Sequence, residues 1–407
     1  MMQYRVLEKN GDSLSVLGFG CMRLPQKGNK IDEKRATAQV RYAIDKGVNY
    51  IDTAVPYHMG ASEPFLGRAL SDGYREKVKL ATKLPPWSVE KRIDMDNILD
   101  SQLKKLNTTY IDYYLVHSLD GKSWKKMDSL GVLDFLDSSK EKGTIINAGF
   151  SFHGRLDDFR KIIDSYDWDF CMIQYNILDE QNQAGTKGLE YAASKGIGVF
   201  VMEPLRGGNL SRNIPPGVQK IMDDSGENWS MAEWALRWVW DHPQVTLLLS
   251  GMNEEAHIEE NIKIASNALP GSLTKDHVAT IDKIKKEYRS LMKIDCTGCR
   301  YCLPCPANVN IPLCFELYNS KHMFVDSKVD TFDYAVGLGV ANGVRGFASQ
   351  CTNCGKCVSR CPQHLDIPAL LPDVADEFEG LKLSVIIRLA RVYLAFQRWR
   401  TRIGAGR

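Results

Sequence analysis

The chain has 407 residues, enough for two or three domains at about 150 residues each. Hydrophobic residues make up 44% and charged residues 25%, with a formal net charge of +2, so the chain can fill a globular core and gives no electrostatic case for nucleic acid as partner. It contains no run of 18 uninterrupted apolar residues and opens on Met-Met-Gln-Tyr-Arg-Val, so neither a membrane-spanning helix nor a secretory signal is expected, and the predicted location is cytoplasmic.

From about residue 15 to residue 266, short apolar runs alternate with longer segments of helical period. The strand-like runs are Val16–Gly20, Tyr50–Ala54, Val78–Lys83, Ile111–His117, Ile145–Phe150, Phe170–Gln174, Gly198–Pro204 and Val245–Gly251. Between them Glu33–Lys46, Met95–Leu106, Gly131–Lys142, Leu156–Asp164, Gly185–Lys195 and Met231–Asp241 repeat apolar residues every three or four positions, as amphipathic helices require. Lys46-Gly47, Lys142-Gly143 and Lys195-Gly196 each put a cation in a last turn and a glycine just beyond it. Eight strand–helix repeats predict an α/β fold, a parallel (β/α)8 TIM barrel. An open doubly wound sheet is the competing arrangement, but no G-x-G-x-x-G precedes a helix, which favours the barrel. The barrel is expected over residues 1–292, with Asp276–Met292 as its last helix. The stretch of three tryptophans, Trp234, Trp238 and Trp240, has helical spacing and reads as core.

Cysteine is the informative residue beyond that point. Nine of the eleven cysteines lie between Cys296 and Cys361, a concentration that favours metal or cluster ligation over a disulfide scaffold. The first run is Cys296-x2-Cys299-x2-Cys302-x2-Cys305-Pro306 and the second Cys351-x2-Cys354-x2-Cys357-x3-Cys361-Pro362. Three thiolates at two-residue spacing can wrap three corners of a cubane. Zinc would want four ligands, commonly as two separated pairs, a pattern these runs do not follow. Residues 293–379 are short of long periodic segments and would need a non-protein staple, for which the runs favour two [4Fe-4S] clusters. This region resembles the bacterial two-cluster ferredoxins, which implies a small α+β ferredoxin-like domain. The resemblance implies that Cys296, Cys299, Cys302 and Cys361 hold one cluster, and Cys351, Cys354, Cys357 and Cys305 the other. The first run closes one residue early for the family pattern, which bears on Cys305. Cys314 falls outside both runs and reads as a buried thiol. Residues 380–407 carry seven Lys or Arg and no acid. Their apolar positions predict a basic amphipathic helix. It would either pack on the barrel or cluster domain with its arginines solvated, or dock a membrane surface, which would add a peripheral membrane location, or dock an acidic ferredoxin-type redox partner.

Polar residues at strand ends carry the chemistry of such barrels. Asp52 closes the second strand, Tyr57 follows on the loop, Lys83 closes the third strand and His117 the fourth. Each has a bland reading alone, but consecutive strand ends bring them to one place. Here the chain resembles the aldo-keto reductase family, through Asp52-Thr-Ala-Val-Pro-Tyr57, Gly60-Ala-Ser-Glu63, Lys83, His117, Gly149-Phe-Ser151, Gln174, Glu203-Pro204-Leu205 and Glu259-Glu260-Asn261. The resemblance implies hydride transfer between a nicotinamide and a small carbonyl or alcohol. Tyr57 would be the general acid, its pKa brought down from about 10 by Lys83, which Asp52 holds, while His117 orients the carbonyl oxygen. It further implies that Ser151 and Gln174 meet the nicotinamide carboxamide and Met202 packs on its ring. Pro204, Leu205 and Gly207 would pass the pyrophosphate, and Asn253, His257, Glu260 and Asn261 would surround the adenosine end. NADP(H) is the family's usual cofactor. The turn Gly251–His257 lacks the Lys and Arg that grip a 2′-phosphate, with His257 in the matching place of that Arg, so NAD(H) stays open. Phe152 stands where relatives often have a polar contact, and Trp87 and His58 are candidates for the pocket rim. Two alternatives remain: a redox-dependent nucleotide-binding or regulatory module with slow turnover, and a reductase whose clusters are structural only.

Overall fold

The computed structural model describes residues 1–392 apart from Asn29, Asn213, Thr297, 299–301, 325–328, 330, 341–344, Pro362 and 390–391. Two compact units emerge. The first comprises Met1–Gly207 with Ala232–Thr274, the second Gly208–Met231 with Lys275–Arg407.

The first unit is a closed barrel of eight parallel strands: β1 (Leu17–Gly20), β2 (Tyr50–Asp52), β3 (Lys79–Leu84), β4 (Ile111–Leu119), β5 (Ile145–Phe152), β6 (Phe170–Gln174), β7 (Gly198–Met202) and β8 (Val245–Ser250). Each strand pairs with the next in sequence, and β8 returns to β1 through Leu248↔Leu17 and Ser250↔Phe19. Closure leaves no edge and buries both faces, which is why the strands read as continuous apolar runs rather than alternating ones. The interior is filled by Tyr50, Tyr113, Phe170 and Phe200 with Leu115, Met172 and Leu247. Tyr50 meets Tyr113 and Phe200 edge-on, at 5.4 and 5.1 Å between ring centroids, the arrangement that ring quadrupoles favour.

The helices follow the sequence reading closely, and the Lys-Gly steps end three of them. Gly47, Gly143 and Gly196 take φ of 101°, 69° and 71°, the left-handed conformation that terminates a helix at little cost for glycine. Trp234 and Trp240 are fully buried and Trp238 nearly so, as expected of core. A short hairpin, Tyr4–Val6 against Ser13–Ser15, was not foreseen. Its turn stops the lower end of the barrel: Asp12 accepts from Tyr113 OH at 2.7 Å and from Lys79 Nζ at 2.6 Å.

In the second unit the described residues form helices and no strand, where an α+β arrangement was expected of residues 293–379. Ile311–Met323 and Ile367–Phe378 are helices of 13 and 12 residues. The first escaped the periodicity reading because polar Asn319 and Ser320 are buried on it. Asn319 Oδ1 accepts from the backbone N–H of Lys293 and Ile294 (3.0 and 2.9 Å), and its Nδ2 donates to the Ile294 carbonyl (2.7 Å). The helices pack around Phe315, Tyr334, Phe347, Leu371, Val374 and Phe378. Tyr334 stacks on Phe378 at 4.7 Å, and its hydroxyl donates to Glu379 at 2.5 Å.

One glycine sets how closely two helices of the barrel's outer layer approach. A Cβ on Gly67, in helix Ser62–Ala69, would stand 2.3 Å from the Lys105 carbonyl of helix Arg92–Leu106. The obstacle is backbone and cannot swing aside. Gly67→Ala is expected to destabilise the barrel by about 1–3 kcal/mol, measured as a lower urea midpoint; an unchanged midpoint would show that the two helices separate freely.

Candidate active site

Lys83 is the centre of the strand-end constellation. Its ammonium is 1% exposed and donates to Asp52 Oδ1 and Oδ2 (2.6 and 2.8 Å), the Thr53 carbonyl (2.9 Å) and Tyr57 OH (3.2 Å). Three N–H groups thus face four acceptors, so one is shared. Burial by itself would lower the Lys83 pKa, but Asp52 and Tyr57 beside it carry it above the ordinary ammonium value. The lysine stays charged. Tyr57 opens a tight turn, Tyr57–Gly60, in which His58 and Met59 take φ of 51° and 56°. That double left-handed step folds the loop back. The His58 ring fixes it by accepting from the Leu24 N–H at 3.1 Å and pairing with the Gln26 side chain at 2.9 Å.

The direction of the Tyr57 pKa departs from expectation. Burial raises it, and the Lys83 charge offsets only part of that rise, so the phenol stays protonated above its ordinary value. The site therefore holds a Tyr57 proton next to a fixed cation. His117 lies beside it, with ring centroids 6.3 Å from Tyr57 and 5.1 Å from Trp87, so Trp87 walls this part of the cleft. Burial, then the nearby Lys83 charge and His153, push the His117 imidazole well below its ordinary pKa, and it is neutral. Its Nδ1 is buried with no hydrogen-bond partner. An orphaned polar atom at a strand end is what a bound group would satisfy.

Behind Lys83 lies a buried relay that the sequence reading missed. Gln102 Nε2 donates to the Lys83 carbonyl (3.0 Å) and to Glu63 Oε1 (2.8 Å), while Tyr114 OH donates to Gln102 Oε1 (2.8 Å). Glu63 also accepts from Thr82 Oγ1 at 2.8 Å. The Glu63 match was visible; its buried partners were not, because they come from a helix and two strands distant in sequence.

The residues matched to a cofactor line the neighbouring strand ends. Ser151, at the end of β5, accepts from the Ser118 N–H at 2.7 Å. Gln174 and Met202 end β6 and β7 in direct register. Gln174 Nε2 donates to Asp179 at 3.3 Å, and its carbonyl accepts from Gln183, which also pairs with His153 at 3.2 Å. Phe152 instead turns into the shell and packs on Phe159 at 5.1 Å. Pro204, Leu205 and Gly207 follow β7 on a loop where Glu203, Arg206 and Gly207 all have positive φ. Arg206 Nε pairs with buried Asp179 at 2.9 Å. Glu203, named in the sequence match without a role, is exposed on this loop, and its carbonyl accepts from Asn176 Nδ2 at 3.2 Å. Past β8, the Asn253 carbonyl accepts from Gln39 at 3.3 Å. His257 is exposed and Glu260 half-buried on the helix Glu255–Ala265. Asn261 is buried and donates to Ser250 Oγ at 3.0 Å, so it braces the strand end from within. Arg35 engages Glu254 and Glu255 in the same turn.

Of the cluster cysteines, Cys299 lies outside the described residues. Burial raises the Cys357 thiol, and the nearby thiols of Cys351, Cys305 and Cys354 add to the rise. These four are the set expected for one cluster, Cys305 included. Among the described residues no three Cys, His, Asp or Glu side chains group tightly enough to hold a metal ion. Cys296, Cys302 and Cys361 contribute to the hydrophobic core of the same unit. Cys314 is fully buried near the Gly346 carbonyl (3.5 Å) with its pKa pushed up by burial to about 12, an inert thiol as expected.

Comparison with known proteins agrees with this geometry. The aldo/keto reductase family model matches residues 16–286, and the chain belongs to that family. A 4Fe-4S dicluster domain model matches residues 295–365. The methylglyoxal reductase YeaE of Escherichia coli is 27% identical over 293 residues, covering 69% of this chain and 95% of that protein. A probable voltage-gated potassium channel subunit beta of Arabidopsis thaliana is 25% identical, over 64% of this chain and 90% of its own. The holo form of aldo-keto reductase AKR11C1 from Bacillus halodurans superposes with a TM-score of 0.59 at 27% identity, over 70% of this chain and 96% of its own. An aldo-keto reductase from Klebsiella pneumoniae in complex with NADPH, 20% identical, shares the fold with a TM-score of 0.56 over 70% of this chain and 95% of its own.

The neutral His117 has a consequence for stability. Its folded pKa lies below the unfolded value near 6.5, so on acidification the unfolded chain takes up the proton first. Stability is therefore lost as pH falls below about 6.5, by up to about 1.4 kcal/mol per pH unit, until the folded pKa is reached. Urea midpoints at pH 7.5 and pH 5 should differ by less in His117→Gln than in the wild type. Equal differences would mean the imidazole titrates alike in both states.

Proposed function

We propose that the barrel interconverts a small carbonyl compound and an alcohol, with Asp52, Tyr57, Lys83 and His117 as its catalytic group. The observation that carries this reading is Lys83 Nζ, buried at the strand ends, bridging Asp52 and the Tyr57 hydroxyl. A nicotinamide dinucleotide, NADP(H) or NAD(H), supplies the hydride when bound. Ser151 and Gln174 offer the hydroxyl and amide that would hold its carboxamide, and the half-buried Met202 offers a soft apolar surface beside them. The loop of Pro204, Leu205 and Gly207 would pass the pyrophosphate, with Asn253, His257 and Glu260 toward the adenosine end. Asn261 would support that end indirectly, through Ser250.

In reduction Tyr57 donates its phenolic proton to the substrate oxygen. Burial makes the free tyrosinate unfavourable, and the Lys83 ammonium at 3.2 Å steadies it as the proton leaves. Asp52 keeps that ammonium charged and aimed. Neutral His117 presents a ring N–H to the same oxygen, so two donors share the developing charge. In oxidation the proton returns along the same path.

The second unit would carry two [4Fe-4S] clusters that move single electrons, in exchange with a ferredoxin-type partner. Cys296, Cys299, Cys302 and Cys361 would hold one, and Cys305, Cys351, Cys354 and Cys357 the other. Cys351, Cys305 and Cys354 lie near enough to Cys357 to raise its thiol's pKa, and four thiols grouped in this way suit a multi-iron cubane. In this division of labour residues 1–292 reduce, 293–379 carry electrons and 380–407 dock.

Two experiments test these assignments. Tyr57→Phe should lower turnover of carbonyls such as methylglyoxal by about 10²-fold or more while dinucleotide affinity holds; undiminished turnover overturns the proton-donor role. Anaerobically prepared protein should contain about eight irons per chain, and Cys354→Ala should lose about half of them, read by iron analysis and electron paramagnetic resonance. Stoichiometric zinc without iron would refute the clusters.

A further inference from the structure

Residues 381–389 form a helix at the end of the second unit. One side of it is spoken for: Leu383 is 6% exposed, and Ile386 and Ile387 pack with it on the core around the cysteine runs. The other side is not. Leu381, Val385 and Leu389 recur every fourth residue and are 90%, 55% and 64% exposed, and Val392 beyond them is 67% exposed. On a helical wheel the first three fall within about 80° of arc, with Arg388 and Lys382, both exposed, flanking them on either side. A helix that satisfies its own domain with one face needs no second apolar face, and such a surplus marks an interaction surface.

The charge identifies the occupant. Residues 380–407 hold seven Lys or Arg and no acid, and beyond Val392 the sequence adds Tyr393, Phe396 and Trp399 among arginines. Apolar stripe, flanking cations and interfacial aromatic residues together are the composition that lies in the headgroup layer of a bilayer. It also lacks what spanning requires, since no described helix is long and apolar enough to cross a membrane. We propose that the exposed face of helix 381–389 docks the protein on an anionic lipid surface. The apolar stripe enters the acyl boundary, and Lys382 and Arg388 meet lipid phosphates. This inference rests on the helix alone and is independent of the reductase chemistry.

Cosedimentation of the anaerobically purified, iron-loaded full chain tests it. The protein should bind vesicles of phosphatidylcholine with about 30% phosphatidylglycerol, leave them at about 0.5 M salt, and ignore phosphatidylcholine alone. Val385→Asp with Leu389→Asp places charge in the exposed stripe and should weaken vesicle binding at least about tenfold, with iron absorbance and carbonyl reduction unchanged. Arg388→Glu, which leaves every apolar residue in place, should also weaken binding; it decides the matter alone if the double variant loses iron. Absence of wild-type binding at low salt, or variants that bind as the wild type does, would overturn the proposal. So would salt-sensitive binding to an acidic ferredoxin without binding to vesicles, which would make the surface a protein contact.

Discussion

A buried ammonium is costly unless nearly every hydrogen bond it can make is made. Lys83 meets that condition through two strand ends and one loop, and the upper half of the barrel is arranged around it. Asp52 must end β2 pointing inward, Thr53 must leave its carbonyl free, and Tyr57 must return over the lysine on a loop that doubles back through two left-handed residues. The same condition reaches outward. Gln102 holds the Lys83 carbonyl, Glu63 and Tyr114 hold Gln102, and the helices bearing Glu63 and Gln102 meet where Gly67 lets their backbones touch.

The electrostatics of the cleft follow from one fixed, buried cation. The charge holds Asp52 as its partner, adds to the burial that keeps the neighbouring imidazole neutral, and meets the phenol with an attraction that grows as the proton departs. In its proposed role as proton donor, Tyr57 would not need a lowered resting pKa. A donor that remains protonated, beside a cation already oriented toward its conjugate base, is prepared for reduction and avoids solvent reorganisation at the moment of transfer.

The strands, their order and the four strand-end residues were legible because a closed parallel sheet writes continuous apolar runs into the sequence and places their last polar residues together. The Lys-Gly helix ends were legible for an equally local reason. What could not be read was whatever depends on pairing across the chain. Gln102 looks like any polar helix residue until Lys83 and Glu63 are placed beside it, and Asn261 looks like a cleft residue until Ser250 claims it. The direction of the Tyr57 shift was hidden because it is a balance between burial and charge, and sequence reveals only the charge. In the cysteine-rich unit the two cysteine runs were visible in the sequence. The helix Ile311–Met323 was not, since a buried asparagine interrupts its apolar pattern.

That asparagine has a consequence for assembly. With one amide side chain, Asn319 answers two backbone donors and one acceptor at Lys293 and Ile294, and Cys296 begins two residues later. The strand-like ladder that a small domain would otherwise need at this point is replaced by a single side chain mounted on a helix. Once that helix has formed, the arm leading to the first thiol is already moored. In the proposed cluster assembly, iron and sulfide would then meet a partly cast mould, and less ordering entropy would remain to oppose their capture.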